Sequence, residues 1–461
     1  MINLKNIKNQ KYSYSKFVET LFYTFPLSFI AGNLVLSLHL LLFIIASFLL
    51  IKKENLALRF NKSNYLIFIF FLYLFLSTAI QFPDIFETWV KIKNYKLESL
   101  PLENHPIFKS FLLIRFIIFV VLVDTLFFNK ILNIKKIFYF SLICTTFVSF
   151  DIIIQYIFGS DLFGNKNIGP NYTGPFGDER ISGSFLQKFS IISFFAISFI
   201  NFNKRKLNNI FLSLVIVIHS SAILLSGNRM NMVLFLFGCF LLIVFIKNFR
   251  FVMSLSLIAF SLVFFGITAS NDGIRSHYSF FLKQINVFEK DEIKNIEKKK
   301  IENNQSEKKQ KKAYLYGGHG SLYKTSIEIW KTQPIFGFGL KSFRFKCWEI
   351  LSDTKDKSLS CSTHPHNYYL EILIEAGIIG SFFIIFFIIL ILKDSFLFLK
   401  KNYKINSLNS YVFMSILITF CLEIWPLKST GSFFTTWNAT FFWLIVSIIL
   451  SMISKKKLSK N

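Results

Sequence analysis

Two histidines separated by one proline precede a long apolar run, in the stretch THPHNYYLEILIEAGIIG at residues 363–380. The chain has only seven histidines, so the position of His364 and His366 beside an apolar segment raises the question of their role. Three explanations fit: a metal-binding pair, a catalytic base, or an ordinary helix start in which the histidines are incidental. A histidine titrates near neutral pH and can take a proton from an attacking hydroxyl group.

The residues around the two histidines bear on the metal and incidental explanations. A zinc site needs three or four protein ligands, and none recurs nearby at ligand spacing; His277 and His319 are far along the chain. Asn367 is a good helix N-cap, and Glu371 suits the first turn of a helix. These two residues explain NYYLE without explaining the histidines. We predict no metal here.

Two arginines also lie next to apolar segments. Arg180 in DERISGSF precedes one such run, and Arg229 in SGNRMN occupies the tight turn between two others. A guanidinium group binds phosphate oxygens through paired hydrogen bonds and stays charged at any working pH. Together with His366, the arginines indicate transfer of a group from a lipid diphosphate. Anchoring of Arg229 to lipid headgroups is the alternative.

The composition indicates an all-α polytopic membrane protein. Of its 461 residues, 53% are apolar and 61 are phenylalanine, and long apolar runs recur along the chain. Each run can cross the hydrocarbon core as a helix, which satisfies its own backbone hydrogen bonds. The net charge of +26 resides mainly in short loops and one tract, which fits membrane orientation better than nucleic acid binding. We therefore expect membrane lipids, and no nucleic acid, as partners.

The apolar runs predict about 12 transmembrane helices. They lie at 17–31, 34–51, 65–82, 107–128, 137–158, 185–201, 209–225, 231–247, 251–269, 369–393, 410–426 and 437–454. Every second loop, starting with the N-terminus, is net basic. By the positive-inside rule these loops and both chain ends are expected to be cytoplasmic.

This topology divides the chain into three regions. Residues 1–269 form an N-terminal transmembrane bundle of about nine helices, and residues 369–461 form about three helices and a cytoplasmic tail. Residues 270–368 form a large periplasmic loop between predicted helices 9 and 10. The charged, low-complexity insert near 290–312 has too little apolar surface to fold alone.

The five cysteines fall into two groups. Cys144, Cys239 and Cys421 lie in apolar segments, where cysteine behaves as a small apolar residue. Cys347 and Cys361 both lie in the large loop with thirteen residues between them. On an oxidising side of the membrane two nearby thiols are expected to pair, so we predict a disulfide between them.

The stretch HPHNYYLEILIEAGIIG resembles the signature of the O-antigen ligase and O-antigen polymerase family, in which a His-Asn pair precedes a helix with a Glu and a Gly. Further stretches agree in order between residues 150 and 445: DIIIQYIFGSDLFG, RISGSF, SGNR, PIFGFGLKSF and WPLKSTGSFFTTWNATFFW. The resemblance implies an enzyme of the bacterial inner membrane with a large periplasmic loop. It implies metal-independent, inverting transfer of a glycan from undecaprenyl diphosphate, without a soluble cofactor, to lipid A-core or a glycan acceptor.

The resemblance also implies site residues. The family's loop histidine corresponds to His366 rather than His364, and its phosphate-binding arginines correspond to Arg180 and Arg229. This chain departs from the family pattern at Asn228, where a Ser or Thr is common.

A second departure follows RISGSF, where Leu-Gln-Lys replaces the usual Asn-Pro-Asn. Its lysine, Lys188, is a further candidate for contact with the phosphates. Glu375 lies two turns after Asn367, and an ionisable group inside a membrane helix usually has a partner or a function. We expect it either to orient an arginine or the histidine, or to join helices.

Two other classes compete with a lipopolysaccharide-biosynthesis glycosyltransferase. A transporter or flippase of lipid-linked sugars would also have many helices and basic residues, but transporters generally place their polar site near the membrane midplane. Here the charged candidates cluster at the outer boundary. A non-catalytic assembly partner would leave His366 and both arginines unexplained. We therefore predict the transferase.

Overall fold

The computed structural model is almost entirely helical and describes residues 4–93, 105–167, 169–197, 199, 205–286, 319–353, 356, 358–402 and 408–458. Its α-helices are α1 (Leu4–Tyr23), α2 (Phe25–Ile30), α3 (Asn33–Lys53), α4 (Lys62–Lys93), α5 (Pro106–Leu112), α6 (Ile114–Phe128), α7 (Ile134–Phe158), α8 (Ser182–Ile197), α9 (Arg205–Leu225), α10 (Arg229–Phe245), α11 (Arg250–Ser270), α12 (Asp272–Asn286), α13 (His319–Thr332), α14 (Phe343–Asp353), α15 (Tyr368–Asn402), α16 (Leu408–Glu423) and α17 (Thr436–Leu458). No strand forms in the described ranges. The predicted all-α class is confirmed.

Eight helical segments in this part of the chain are long and apolar enough to cross a membrane. They are Asn33–Lys53, Lys62–Gln81, Pro106–Phe128, Ile134–Phe158, Lys206–Leu225, Lys247–Ser270, Tyr368–Lys401 and Thr436–Ser454. Three shorter apolar helices, α8, α10 and α16, cover further predicted segments. The multi-pass membrane class is confirmed, whereas a total of about 12 crossings, with its loop placement, stays a prediction.

The apolar segment predicted at 17–31 is two helices rather than one. α1 ends at Tyr23, and α2 begins at Phe25 with Pro26 in its first turn. Proline lacks a backbone N–H, and its ring clashes with the preceding turn of a continuous helix. The break therefore follows from a single residue inside an otherwise apolar run.

Two helices occupy the centre of the bundle. Almost every residue of α8 is buried, and 94% of the apolar window of α17 is buried. α8 packs against α7, α9 and α16, and α17 packs against α6 and α16. A helix that is apolar on all sides is stable when other helices surround it. α8 thereby carries Lys188 into the interior.

α15 is broken at Gly377, whose φ of 63° and ψ of −168° are not helical. The segment PIFGFG (residues 334–339) fills the break: the N–H of Phe338 donates to the Ile374 carbonyl, and the N–H of Gly339 to the Glu375 carbonyl, both at 2.9 Å. A side chain at Gly377 would collide with this backbone. Close helix packing alone therefore does not explain Gly377. The break in α15 requires a glycine at this position.

The large loop contains helices of its own. α12, α13 and α14 lie between α11 and α15. α13 and α14 pack against each other and against α15. The low-complexity insert predicted near 290–312 lies outside the described residues. α13 and α14, which follow this insert, place their residues at the start of α15.

Candidate functional site

His366 and Asn367 form the turn that starts α15. The side-chain oxygen of Asn367 accepts hydrogen bonds from two backbone N–H groups of the first turn, at 3.0 and 3.2 Å, which is N-cap geometry. His366 has a φ of 57°, in the left-handed region that non-glycine residues rarely adopt. The Thr430 N–H donates to the His366 carbonyl at 3.0 Å, and Asn367 Nδ2 donates to the Pro426 carbonyl at 2.8 Å. The loop before α17 thus holds a strained backbone, a feature that concentrates at functional sites.

Three imidazole rings meet at this turn. The ring centroid of His366 lies 4.1 Å from that of His364 and 4.6 Å from that of His319. His319 is therefore close in space, although it is far along the chain. In the described part of the chain no group of three His, Cys, Asp or Glu side chains is arranged to hold a metal ion, these three histidines included.

The environment favours the uncharged form of these imidazoles. Burial, and then the neighbouring His319, lower the pKa of His366. Burial also lowers the pKa of His319. The pKa of His364 falls to about 3 through burial and through His366, Lys341 and Arg344. An uncharged imidazole can accept a proton, so the turn has the protonation state that a base requires.

Two basic residues that the sequence analysis did not identify lie beside the histidines. Lys341 and Arg344 follow the PIFGFG segment and interact electrostatically with Glu371 and Glu375 of α15. Lys341 is 6% exposed and has a φ of 65°. The sequence contains a signal for this pair, because both cations follow a glycine-rich motif in the same predicted outer loop.

The two glutamates of α15 bind the backbone of the neighbouring loops. Glu371 accepts a hydrogen bond from the Phe433 N–H at 2.6 Å, and Glu375 interacts electrostatically with the backbone and the side chain of Lys341. Glu375, predicted to orient an arginine or the histidine or to join helices, thus fixes the segment that carries Lys341 and Arg344. Both loops are positioned against the first two turns of α15.

The two arginines of the sequence analysis lie near one another, around His277. Gly183 at the start of α8 packs directly against Asn228 in the turn before α10, which brings Arg180 towards Arg229. The Nε–H of Arg229 donates to Nε2 of His277 at 3.0 Å. Burial, and then both arginines, lower the pKa of His277. The arrangement concentrates two guanidinium groups at one end of the bundle, which suits binding of a phosphate group.

Lys188 does not reach this arginine pair. Its ammonium nitrogen lies 2.5 Å from Oε2 of Glu423, which Lys428 also contacts at 2.7 Å. The Tyr368 hydroxyl donates to Oε1 of the same carboxylate at 2.8 Å. The exposed fractions of the Lys188, Lys428 and Glu423 side chains are 0%, 2% and 1%. Lys188 therefore belongs to a buried ion cluster, and its contact with the phosphates stays a prediction.

The helices connect these groups. Ser182 and Lys188 are six positions apart on α8, about 9 Å along the helix axis. Tyr368, which binds the buried cluster through Glu423, lies two residues after His366. α8 therefore runs from the end that lies near the arginines to the buried cluster, and Tyr368 connects that cluster to the start of α15. Such a site combines cations for an anionic group with a neutral base for a hydroxyl proton.

Cys347 and Cys361 are joined in the structure, with their Cα atoms 5.4 Å apart. Cys347 lies on α14, and Cys361 lies five residues before His366. The pairing ties the segment that delivers His366 to the helix that begins next to Lys341. The other three cysteines are not paired.

Comparison with known proteins gives one family. The O-antigen ligase family model matches residues 212–386, a stretch that contains Arg229, His319, Lys341 and His366 but not Arg180. No curated protein matches the chain significantly. The motifs recognised in the sequence point to this same family, and the match includes the broken helix and the histidine turn. Residues 212–386 thus carry an O-antigen ligase family domain, and this finding agrees with the O-antigen ligase and O-antigen polymerase family that the motifs resemble.

Proposed function

We propose that this membrane protein transfers a glycan from undecaprenyl diphosphate to an acceptor hydroxyl group on the periplasmic side of the inner membrane. The acceptor, lipid A-core or a second glycan, attacks C1 of the donor sugar from the face opposite the diphosphate. The C1–O bond to the diphosphate breaks with inversion at C1. His366 takes the hydroxyl proton, and no metal takes part in this step.

The observation that carries the proposal is the backbone of His366. Its left-handed conformation is held by Thr430 and is followed directly by a capped helix. His364, two residues earlier, does not share this conformation. A strained backbone that fixes one imidazole, with a lowered pKa, is what a positioned base needs.

The cations supply the second part of the mechanism. Arg180 and Arg229 would stabilise the negative charge that develops on the departing diphosphate, and positioned donors of this type act strongly where water is scarce. Arg229 is oriented by its hydrogen bond to His277.

Deletion of the gene followed by analysis of the envelope glycans tests the proposal. Long chains left unattached on the carrier lipid indicate a ligase, and attached single repeats indicate a polymerase. Complementation with His366→Ala, compared with wild-type protein at equal abundance, should fail to restore the glycan. Retention of the lipid-linked donor on the cytoplasmic leaflet would contradict the proposal and indicate a transporter.

A further inference from the structure

His319 has no part in the mechanism above, although it contacts the proposed base. It begins α13, directly after the undescribed stretch that contains the charged insert, and its ring also stacks near Tyr323 with centroids 6.4 Å apart. Tyr323 interacts with the side chains of Ser429 and Asn367, so α13 lies against the turn of His366. The rings of His319 and His366 are both partly buried, and His319 has the more solvent-accessible side chain of the two. The two rings thus form a path from the site to water.

We propose that His319 accepts the hydroxyl proton from His366 and releases it to the external water, so that the two imidazoles act as a proton relay. This inference rests on the proposed function, because His366 must first receive the proton. His319 does not touch the reacting atoms and is a positioning and relay residue.

The step balances in atoms and charge. The acceptor oxygen forms its bond to C1 while the C1–O bond to the diphosphate breaks, and the bonding electron pair leaves with the diphosphate. The acceptor proton moves to His366, then to His319, and then to water. The products are the glycosylated acceptor, undecaprenyl diphosphate with one additional negative charge, and one proton.

The charges around His366 explain why its proton should leave. His364 on the same turn and His319 on α13 both face His366. Lys341, which precedes α14, and Arg344, which lies in α14, are close to His364. Glu371 and Glu375 interact with these two cations and with backbone N–H groups. A positive charge left on half-buried His366 is therefore unfavourable, and it is better screened on the more solvent-accessible His319.

His364 is the matched control for His319. Its ring centroid is the closer one to His366, at 4.1 Å against 4.6 Å. Its Nδ1 is hydrogen bonded to the Thr363 hydroxyl at 2.9 Å, and its pKa of about 3 makes it a poor proton acceptor. Proton transfer from His366 to His364, the nearest ring, is therefore disfavoured. Comparison of the His319 and His364 variants thus distinguishes a proton relay from the loss of a ring contact with His366.

Chemical rescue tests the relay in the full-length purified protein. His319→Ala should lower the transfer rate by about tenfold, less than the 10²–10⁴ expected for loss of a base itself. Imidazole added to the buffer should restore the rate, and a series of substituted imidazoles should rescue in the order of their pKa values. His364→Ala should keep most activity and show no rescue. A His319→Ala rate that is normal, or that no buffer restores, would overturn the relay.

A second measurement does not depend on activity. Diethyl pyrocarbonate modifies the uncharged imidazole, so its rate of reaction with His366, followed by peptide mass spectrometry across pH, reports the pKa of that residue. Because His319 lowers the pKa of His366, His319→Gln should raise it and shift the acidic limb of the profile to higher pH. An unchanged profile refutes the coupling even in an inactive variant. An inactive wild-type protein with the expected shift would instead refute the proposed function alone.

Discussion

Replacement of Glu423 tests the buried ion cluster. Glu423 accepts contacts from Lys188, Lys428 and the Tyr368 hydroxyl, and all three charged side chains are at most 2% exposed. Glu423→Gln keeps the shape but leaves two ammonium groups facing a neutral amide. Loss of one partner of a buried ion pair typically costs about 3–5 kcal/mol, so we expect a large loss of folding stability.

Lys188→Met provides the matched control. This change removes one cation and fills its space with an apolar chain of similar length, while Glu423 keeps Lys428 and Tyr368. Because Glu423 stays paired with Lys428, this change leaves no buried charge without a partner, and we expect little loss of stability. The double variant Lys188→Met/Glu423→Gln should be more stable than Glu423→Gln alone, because one fewer charge is left unpaired.

The assay is thermal unfolding of the purified proteins, all in the same detergent. The readout is the fraction of protein that still elutes as a monodisperse peak in size-exclusion chromatography after heating. The expected order of midpoints is wild type and Lys188→Met highest, then the double variant, then Glu423→Gln. The reasoning would be refuted if Lys188→Met destabilised the protein as much as Glu423→Gln, or if the double variant were the least stable.

Two further predictions concern the arginines and the cysteines. Alanine at Arg180 or Arg229 should lower the transfer rate by about 10²–10³, as for loss of a stabiliser of a developing anion; lysine should rescue poorly because it lacks the planar fork. Transfer within a few-fold of wild type in both alanine variants would exclude the assignment. Cys347 and Cys361 should appear as one cross-linked peptide in non-reducing mass spectrometry, and the closed loop should contribute about 3 kcal/mol. Alkylation of both thiols without reduction would exclude the disulfide and weaken the predicted topology.

The helices could be predicted because the hydrophobicity that places them in the membrane is a local property of each segment. An apolar run of membrane length is itself the cause of a spanning helix, and the greater part of each predicted run lies on helix within the described residues. The split between Tyr23 and Phe25 was not predicted, since one proline decides it, and the division of the run 107–128 into α5 and α6 at Leu113 was not predicted either. The break at Gly377 also escaped the pattern, because a lone glycine in an apolar helix more often serves close packing.

The candidate site was predictable only where short segments force residues together. The turn before Arg229 and the helix cap at Asn367 are local features that the sequence contains in full. His319 and Lys188 meet their partners across long stretches of chain, and no period or spacing encodes such pairings. Their positions depend on how α13 and α8 pack against other helices, which needs the three-dimensional structure.

The central claim is that His366, and not His364, takes the acceptor proton. The direct measurement is the rate of glycan transfer by purified His366→Ala and His364→Ala proteins with a lipid-linked donor. We predict a loss of about 10²–10⁴ at His366 and retention of most activity at His364. Equal loss at both positions, together with stoichiometric metal in the purified wild-type protein, would contradict the claim and indicate a metal-binding pair.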